Sequence, residues 1–206
     1  MRYWKRRKIP TSNEVGLAVV TYNQTNCLSS LIYALKCQTF GNFTACIMHD
    51  GPWTPEAEEA CVSAIGKDKR FIKYSTDTRA NKFGHNMRQA GFDICKGLGC
   101  NWIGTMNADC WYAPVYLEWM VSTAMDNKAN FVYCNMVHSH KLWKPLKTEL
   151  KRGAIDAGGW IAHTDLVGSS KWNSDSFAAD WEYVNKLKEN PSFKPSKVDG
   201  YLFTHN

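Results

Sequence analysis

Val15-Gly16-Leu17-Ala18-Val19-Val20 is an unbroken apolar run, and polar Thr21-Tyr22-Asn23 follows it at once. A run of this kind suits a central parallel strand buried on both faces. The same design recurs twice. Residues 43–49 lead into Asp50-Gly51-Pro52, and residues 102–106 lead into Asn107-Ala108-Asp109. Between these runs the apolar period changes to that of helices. Residues 27–37 place Leu28, Leu31, Ile32 and Leu35 on one face, with Asn26 as a candidate cap. Residues 55–65 open with Pro55 and carry Glu56, Glu58 and Glu59 where carboxylates suit the helix dipole. Residues 70–74 form a short strand, and residues 86–96 form a helix that Gly97 ends. Pro114 opens a helix to about residue 125, residues 131–136 form a strand, and a helix near Asp180 ends close to Lys188. Tyr201-Leu202-Phe203 is a final strand.

Strands alternating with helices predict an α/β fold, a mostly parallel central sheet flanked by helices in a single domain. In such sheets ligands bind beyond the carboxyl ends of the strands. Three of those ends are polar here, at Thr21-Tyr22-Asn23, Asp50 and Asn107-Ala108-Asp109. A lone Asp after a strand is usually a cap or a turn residue, but three polar ends on one rim make a site.

Composition narrows the function. A chain of 206 residues, 44% of them hydrophobic, suits one domain of about 100–250 residues. No apolar stretch reaches the ~20 residues of a spanning helix, nor does a leader core of about 7–15 apolar residues follow the basic start. The expectation is a soluble, cytoplasmic chain. The eight cysteines include no CxxC pair, which argues against a zinc ribbon and for buried, reduced thiols. The formal charge of +6 is concentrated in two clusters. One is Arg2, Lys5, Arg6, Arg7 and Lys8, a solvated arm or a peripheral membrane contact. The other is Lys141, Lys144, Lys147, Lys151 and Arg152, a candidate acceptor-side loop. Such clusters attract a diphosphate or a membrane surface. No groove-reading motif supports nucleic acid as a partner.

Neither a Walker A sequence nor GxGxxG follows the first strand, so a bound nucleotide needs another grip on its phosphates. Asp109 can supply one through a hard divalent cation bridging carboxylate and phosphate oxygens. Arg79 and Arg88 are further anion partners, although Arg88 equally suits an ion pair on a helix surface. His205 follows an apolar strand, and an imidazole ligand shifts preference from Mg²⁺ toward Mn²⁺. Asp180 is a candidate general base for an acceptor hydroxyl, or simply a helix cap. Asp156 precedes Gly158-Gly159-Trp160, where glycines admit a ligand and an indole can stack on a sugar face.

These residues together resemble the GT-A glycosyltransferases, Rossmann-like enzymes, and in particular the large inverting family 2. Val19-Val20-Thr21-Tyr22-Asn23 is similar to that family's opening strand and base-contacting loop. Leu35-Lys36-Cys37-Gln38-Thr39-Phe40 is similar to its helix end S-x-x-x-Q-T-Y/F, and Met48-His49-Asp50-Gly51 to V-D-D-G, whose Asp meets the base. Gly84 with Arg88-Gln89-Ala90-Gly91 resembles G-x-x-x-A-R-N-x-G. Asn107-Ala108-Asp109 with Pro114 and Leu117 resembles D-x-D…P…L. Ala179-Asp180 resembles the late E-D pair, and His205 the C-terminal metal-binding His. The order holds from about Val15 to His205. The length is also similar to that of glycosyltransferase domains of large algal viruses, which would put the protein in a host cytoplasm.

The resemblance implies a single GT-A domain over residues 1–206. A basic arm covers 1–13, a nucleotide-binding half about 15–110 and an acceptor-binding half about 111–206. It implies a UDP-sugar donor and a hydroxyl acceptor on a glycan, protein or lipid, with inversion of the anomeric centre. Thr21, Tyr22, Asn23, Asp50, Asp77, Arg79, Arg88, Asn107 and Ala108 would contact the nucleotide. Asp109 and His205 would hold Mn²⁺ or Mg²⁺, Asp156, Gly158, Gly159 and Trp160 would meet sugar or acceptor, and Asp180 or Asp156 would be the base. Three positions depart from the family pattern: Asn107 and Ala179 each replace an acid, and Cys110 stands where another acid is common. These losses keep a non-catalytic nucleotide- or sugar-binding module open as an alternative. A sugar nucleotidyltransferase is a second alternative, but it would normally carry a Gly-rich basic loop where Thr21-Tyr22-Asn23 stands.

Overall fold

A computed structural model describes residues 14–172, 174, 176 and 178–206. The basic arm over 1–13 therefore lies outside the described residues, as does the membrane contact assigned to it. The strands are β1 (Val15–Thr21), β2 (Phe43–His49), β3 (Phe71–Ser75), β4 (Trp102–Asn107), β5 (Trp111–Tyr112), β6 (Phe131–His138), β7 (Lys144–Leu146), β8 (Trp160–His163) and β9 (Pro195–His205). The helices are α1 (Thr25–Lys36), α2 (Pro55–Ile65), α3 (His85–Gly97), α4 (Tyr116–Asn127), the single turn α5 (Thr164–Val167) and α6 (Ala179–Lys188). No described helix is long and apolar enough to cross a membrane.

The strands form one sheet in the order β3-β2-β1-β4-β8-β6-β9-β5, with β7 paired to β6. β1 lies parallel to β2 and β4, and β2 parallel to β3. β8 is antiparallel to both β4 and β6, so β6 runs with β4, and β9 is parallel to β6. β1, β2, β3, β4, β6 and β9 thus share one direction, and their carboxyl ends share one rim.

β1 is covered on both faces. Val15, Leu17 and Val19 enter a core with α1, α2 and α4, while Ala18 enters a second core with α3 and α6. Strand alternation sends successive side chains to opposite layers. α2 begins where the sequence places it, with the Thr54 side chain accepting from Ala57 N and Pro55 in the first turn. α1 starts earlier than expected. Gln24 rather than Asn26 is its cap position, and the Gln24 side chain makes no cap bond. It donates instead to Asp109 Oδ2 at 3.1 Å, so the demand of the site outweighs local capping. The structure also contains β8, which the sequence reading lacks, and extends β9 well beyond residues 201–203.

All eight cysteines are free thiols; six are buried and Cys37 is exposed.

α3 lies unusually close to β1. A methyl group at Gly91 would stand 2.5 Å from Ala18 Cβ and 3.2 Å from Ala18 Cα. At an exposed helix position Gly→Ala gains about 0.5–1 kcal/mol. Here overpacking costs about 1–3 kcal/mol, so the steric term wins. Gly91→Ala is expected to lower the melting temperature by roughly 2–10 °C in a thermal unfolding experiment. A stabilised variant would contradict this packing.

Candidate active site

The shared rim opens into a cleft of about 1160 Å³. Five strand ends meet there. β1 brings Val20 and Thr21 with Tyr22 and Gln24 beyond it; β2 brings Asp50; β4 brings Asn107 and Asp109; β6 brings Met136 and His138; β9 brings His205. Asp156, Asp180 and Trp181 close the far side. Sequence reading named three of these ends as one rim and took His205, after residues 201–203, as a metal ligand, but gave the end of β6 no role. The other two depend on how β9 pairs with β6. The register shifts around Asn135, after which Phe203 faces Met136 and His205 faces His138. Asn135 is buried in this irregularity, donating to Asp199 Oδ1 at 3.0 Å and accepting from Thr148 N at 3.0 Å.

At one end of the cleft the Arg79 guanidinium sits 3.5 Å from the centre of the Tyr22 ring. Asp50 is buried beside them, but both its oxygens are taken, by Ala80 N at 2.9 Å and Asn81 N at 3.0 Å. Asp50 thus holds the following loop while lining the cleft. Arg88 is likewise buried, not a surface partner. It donates to Phe83 O at 2.6 Å and to Asn107 Oδ1 at 2.6 Å. Between them, Asp50 and Arg88 clamp a loop in which Asn81 and Phe83 both have positive φ.

The acids lie at the other end. Asp156 Oδ1 accepts from Gly158 N at 2.8 Å, and Oδ2 pairs with His205 Nδ1 at 3.0 Å. Asp180 Oδ2 accepts from Ala157 N at 3.1 Å. Adjacent amides of one tight turn, Ala157–Gly159, therefore hold two carboxylates side by side. Their ionisation diverges. Burial alone would raise Asp156, but the His205 hydrogen bond and charge, the Gly158 amide and Arg88 outweigh it and keep this carboxyl below its ordinary value. Burial and then the negative charge of Asp156 push Asp180 up to about 6. The hydrogen bond and charge of Asp156 raise His205.

Several expected contacts are corrected. Trp160 is wholly buried and cannot stack on a sugar; its ring packs among Phe131, Trp172 and Tyr183. The glycines before it make room for side chains instead of a ligand. A methyl at Gly158 would stand 2.4 Å from Tyr112 Oη, and one at Gly159 2.9 Å from Phe203 Cε1. Ala108 is a core residue, and its amide donates to Val20 O at 3.0 Å. Asp77 is exposed and does not line the cleft, nor does Asn23, whose amide donates to His49 Nε2 at 3.3 Å. Lining residues that sequence reading missed include Gln24, Phe83, His85, His138, His140 and Trp181. Trp181 follows Asp180 directly, and that adjacency was its only signal in the sequence.

Among the described residues no three His, Cys, Asp or Glu side chains come close enough to hold a metal by themselves. Asp109 and His205 nevertheless suit a site that substrate completes. Both line the cleft, and both lie next to Cys110 Sγ, at 3.7 Å from Asp109 Oδ1 and 4.0 Å from His205 Nδ1. A proton on Nδ1 facing Asp156 leaves Nε2 of the neutral ring as the basic nitrogen, the arrangement usual for a ligating histidine.

With this geometry in view, comparison with known proteins identifies the chain. The family model described as "Glycosyl transferase family 2" matches residues 17–192. The chain belongs to glycosyltransferase family 2. Comparison with curated protein sequences finds no match. Among solved structures, Staphylococcus aureus TarS superposes with a TM-score of 0.75 at 13% identity, covering 94% of this chain and 36% of that one. TarS 1-349 in complex with UDP gives 0.76 at 13% identity, covering 93% and 60%. The mannosyltransferase PcManGT from Pyrobaculum calidifontis, in complex with GDP-Man and Mn²⁺, gives 0.69 at 11% identity, covering 94% and 56%. This glycosyltransferase thus spans between about a third and three-fifths of the length of these structural relatives. They share the GT-A fold with it. The family assignment favours a transferase over the nucleotidyltransferase and binding-module alternatives.

The raised Asp180 has a consequence for stability. Its folded value lies above the ordinary value of 3.8, so the folded state binds the extra proton. Its contribution is most favourable below about pH 4 and is lost as pH rises through about 6. Asp180→Asn keeps an oxygen for Ala157 N and removes the buried charge. The variant is expected to melt several degrees above wild type at pH 7–8, with the gap closing below about pH 4. A gap that is the same at both pH values would contradict the assigned environment.

Proposed function

We propose that this family 2 enzyme transfers a sugar from a UDP-sugar to a hydroxyl acceptor in one inverting displacement, with Asp180 as the base. The observation that carries the reading is the split between its two acids. Asp156 is fully engaged by Gly158 N and His205, and so acts as a positioning residue. Asp180 lines the cleft with a value of about 6. A base tuned near the working pH is both ionised and able to take a proton.

The uracil end of the donor is assigned to Thr21, Tyr22 and Arg79, with Asp50 fixing the loop beside them. The donor half is the region of about 15–110 and the acceptor half that of about 111–206. Asp109 and His205 would hold Mn²⁺ or Mg²⁺ together with diphosphate oxygens, and the ion would neutralise charge on the leaving UDP. The structure of TarS 1-349 with UDP supports the choice of nucleotide, and that of PcManGT with Mn²⁺ the choice of ion. Asp180 removes the acceptor proton as the acceptor oxygen bonds to the anomeric carbon. The bond from that carbon to the diphosphate breaks on the opposite side, and UDP leaves. Trp181, beside the base and lining the cleft, is the aromatic group placed to meet the acceptor.

Two experiments test the reading. UDP together with Mn²⁺ is expected to raise the melting temperature of wild type by mass action, and Asp109→Ala should lose that shift. Because His205 must shed its raised proton to bind metal, the shift should grow as pH rises from about 6 to 8. Asp180→Asn should keep the shift yet lose at least about a hundredfold in transfer, the usual scale for a general base. In wild type the transfer rate should fall about tenfold per pH unit below about 6. Full transfer by Asp180→Asn would overturn the base assignment, and a UDP shift indifferent to metal and to Asp109→Ala would overturn the metal assignment.

A further inference from the structure

The turn that joins β6 to β7 holds two bulky residues in a backbone conformation they disfavour. Leu142 has φ of 54° and Trp143 φ of 60°. This left-handed region suits Gly or Asn, and a bulky side chain there is strained. Internal packing offers no compensation. Leu142 is 80% exposed and Trp143 57% exposed, and neither joins a core cluster or lines the cleft. Backbone bonds hold the turn in shape, from Leu142 N to Ser139 O at 2.9 Å and from Trp143 N to His138 O at 3.1 Å. Strain of this kind persists where display of the side chains has a use.

The charge around the tip has one sign. Lys141, Lys144, Lys147 and Arg152 are exposed, and none forms an ion pair among the described residues. The nearby carboxylate, Glu149, is taken by Lys151 at 2.6 Å. His140, Lys141, Lys147 and Arg152 line the cleft, whereas Leu142, Trp143 and Lys144 do not.

We propose that this hairpin tip docks on an anionic lipid surface, with Leu142 and Trp143 entering the headgroup boundary and the flanking lysines meeting headgroup phosphates. Trp is favoured at that depth because its ring is apolar and its N–H stays wet. A small apolar anchor alone binds weakly and reversibly, so a basic patch beside it supplies the second attraction that stable docking needs. A sugar-stacking platform would pair an aromatic face with polar hydrogen-bonding neighbours inside the cleft. At this tip Leu142, Trp143 and Lys144 stand outside the cleft lining, on a basic rim that Lys141, Lys147 and Arg152 continue into the cleft. Docking would set the mouth of the cleft beside the membrane. The proposal is independent of the donor and of the base assignment.

The test is co-sedimentation of the full chain with phosphatidylcholine vesicles, with and without phosphatidylglycerol. Wild type should bind the anionic vesicles at least about tenfold more tightly than the neutral ones, and less tightly as salt rises from about 0.05 to 0.5 M. Leu142→Asn with Trp143→Gly should weaken binding to anionic vesicles at least about tenfold. Both replacements suit positive φ, so the double variant should melt no lower than wild type and keep its UDP-induced shift. Lys144→Gln should weaken binding about fivefold. Wild type that ignores anionic vesicles would overturn the proposal. So would a double variant that binds them as well as wild type, which would move the contact to residues 1–13. Unchanged vesicle binding with a weakened affinity for a soluble glycan acceptor would also overturn it, in favour of sugar stacking at the tip.

Discussion

The ion pair between Asp156 and His205, 3.0 Å apart, is the interaction on which the site depends. It joins the last strand of the sheet to the turn before β8. It holds Asp156 ionised in a buried place, where an unpaired carboxylate would be strongly penalised. Burial first, and then that fixed negative charge, lift Asp180 into the range where a base works near neutrality. The same contact orients the His205 ring beside Asp109. One interaction thus links the proposed base, its neighbour and the candidate metal ligand, and the fold is arranged to permit it. The irregular pairing of β9 against β6 brings His205 to the rim. Gly158 and Gly159 let Tyr112 and Phe203 press close against the turn that carries both acids.

Rigidity beneath the site comes from aromatic packing. Trp160, Trp172, Tyr183 and Phe131 stack, with Phe92 meeting them edge-on or tilted, in a ring cluster with centroids 4.4–6.3 Å apart. Ring pairs at such separations add to the area they bury. This cluster ties α3, β6, β8 and α6 together below Asp180. It accounts for Trp160 as a floor of the site, with the cleft-facing indole supplied by Trp181. The opposite end of the cleft is built differently, from a loop with positive φ at Asn81 and Phe83 held by Asp50 and Arg88. Where the family usually has an acid, Asn107 lets Arg88 hydrogen-bond to a neutral partner. The Arg88 charge also favours the ionised forms of Asp156 and Asp180.

Much of the fold was legible in the sequence because its signals are local. The run at Val15-Gly16-Leu17-Ala18-Val19-Val20, the Pro55 start of α2 and the polar ends of β1, β2 and β4 each declare themselves within a few residues. What escaped was non-local. β8 is four residues long, and its Gly-Gly lead-in reads equally as room for a ligand or for a packed side chain; only the positions of Tyr112 and Phe203 decide. Gln24 resembles an ordinary pre-helix residue until Asp109, 85 positions away, is seen to accept from it. Asp156 and Asp180 could not be ranked as bases from sequence because their difference lies in partners, His205 for one and a neighbouring charge for the other. His138 and His140 carry no motif and reach the cleft only through the register of the β6–β9 pair.

The central claim is that one acid of the pair is clamped and thereby tunes the other. The most direct measurement is a titration of the Asp180 side-chain carboxyl by carbon NMR, in wild type and in Asp156→Asn. The account predicts that Asp180 titrates near about 6 in wild type and moves down toward ordinary carboxylate values once the Asp156 charge is gone. Titration of Asp180 at an ordinary carboxylate value in wild type, or a value unmoved by Asp156→Asn, would contradict it.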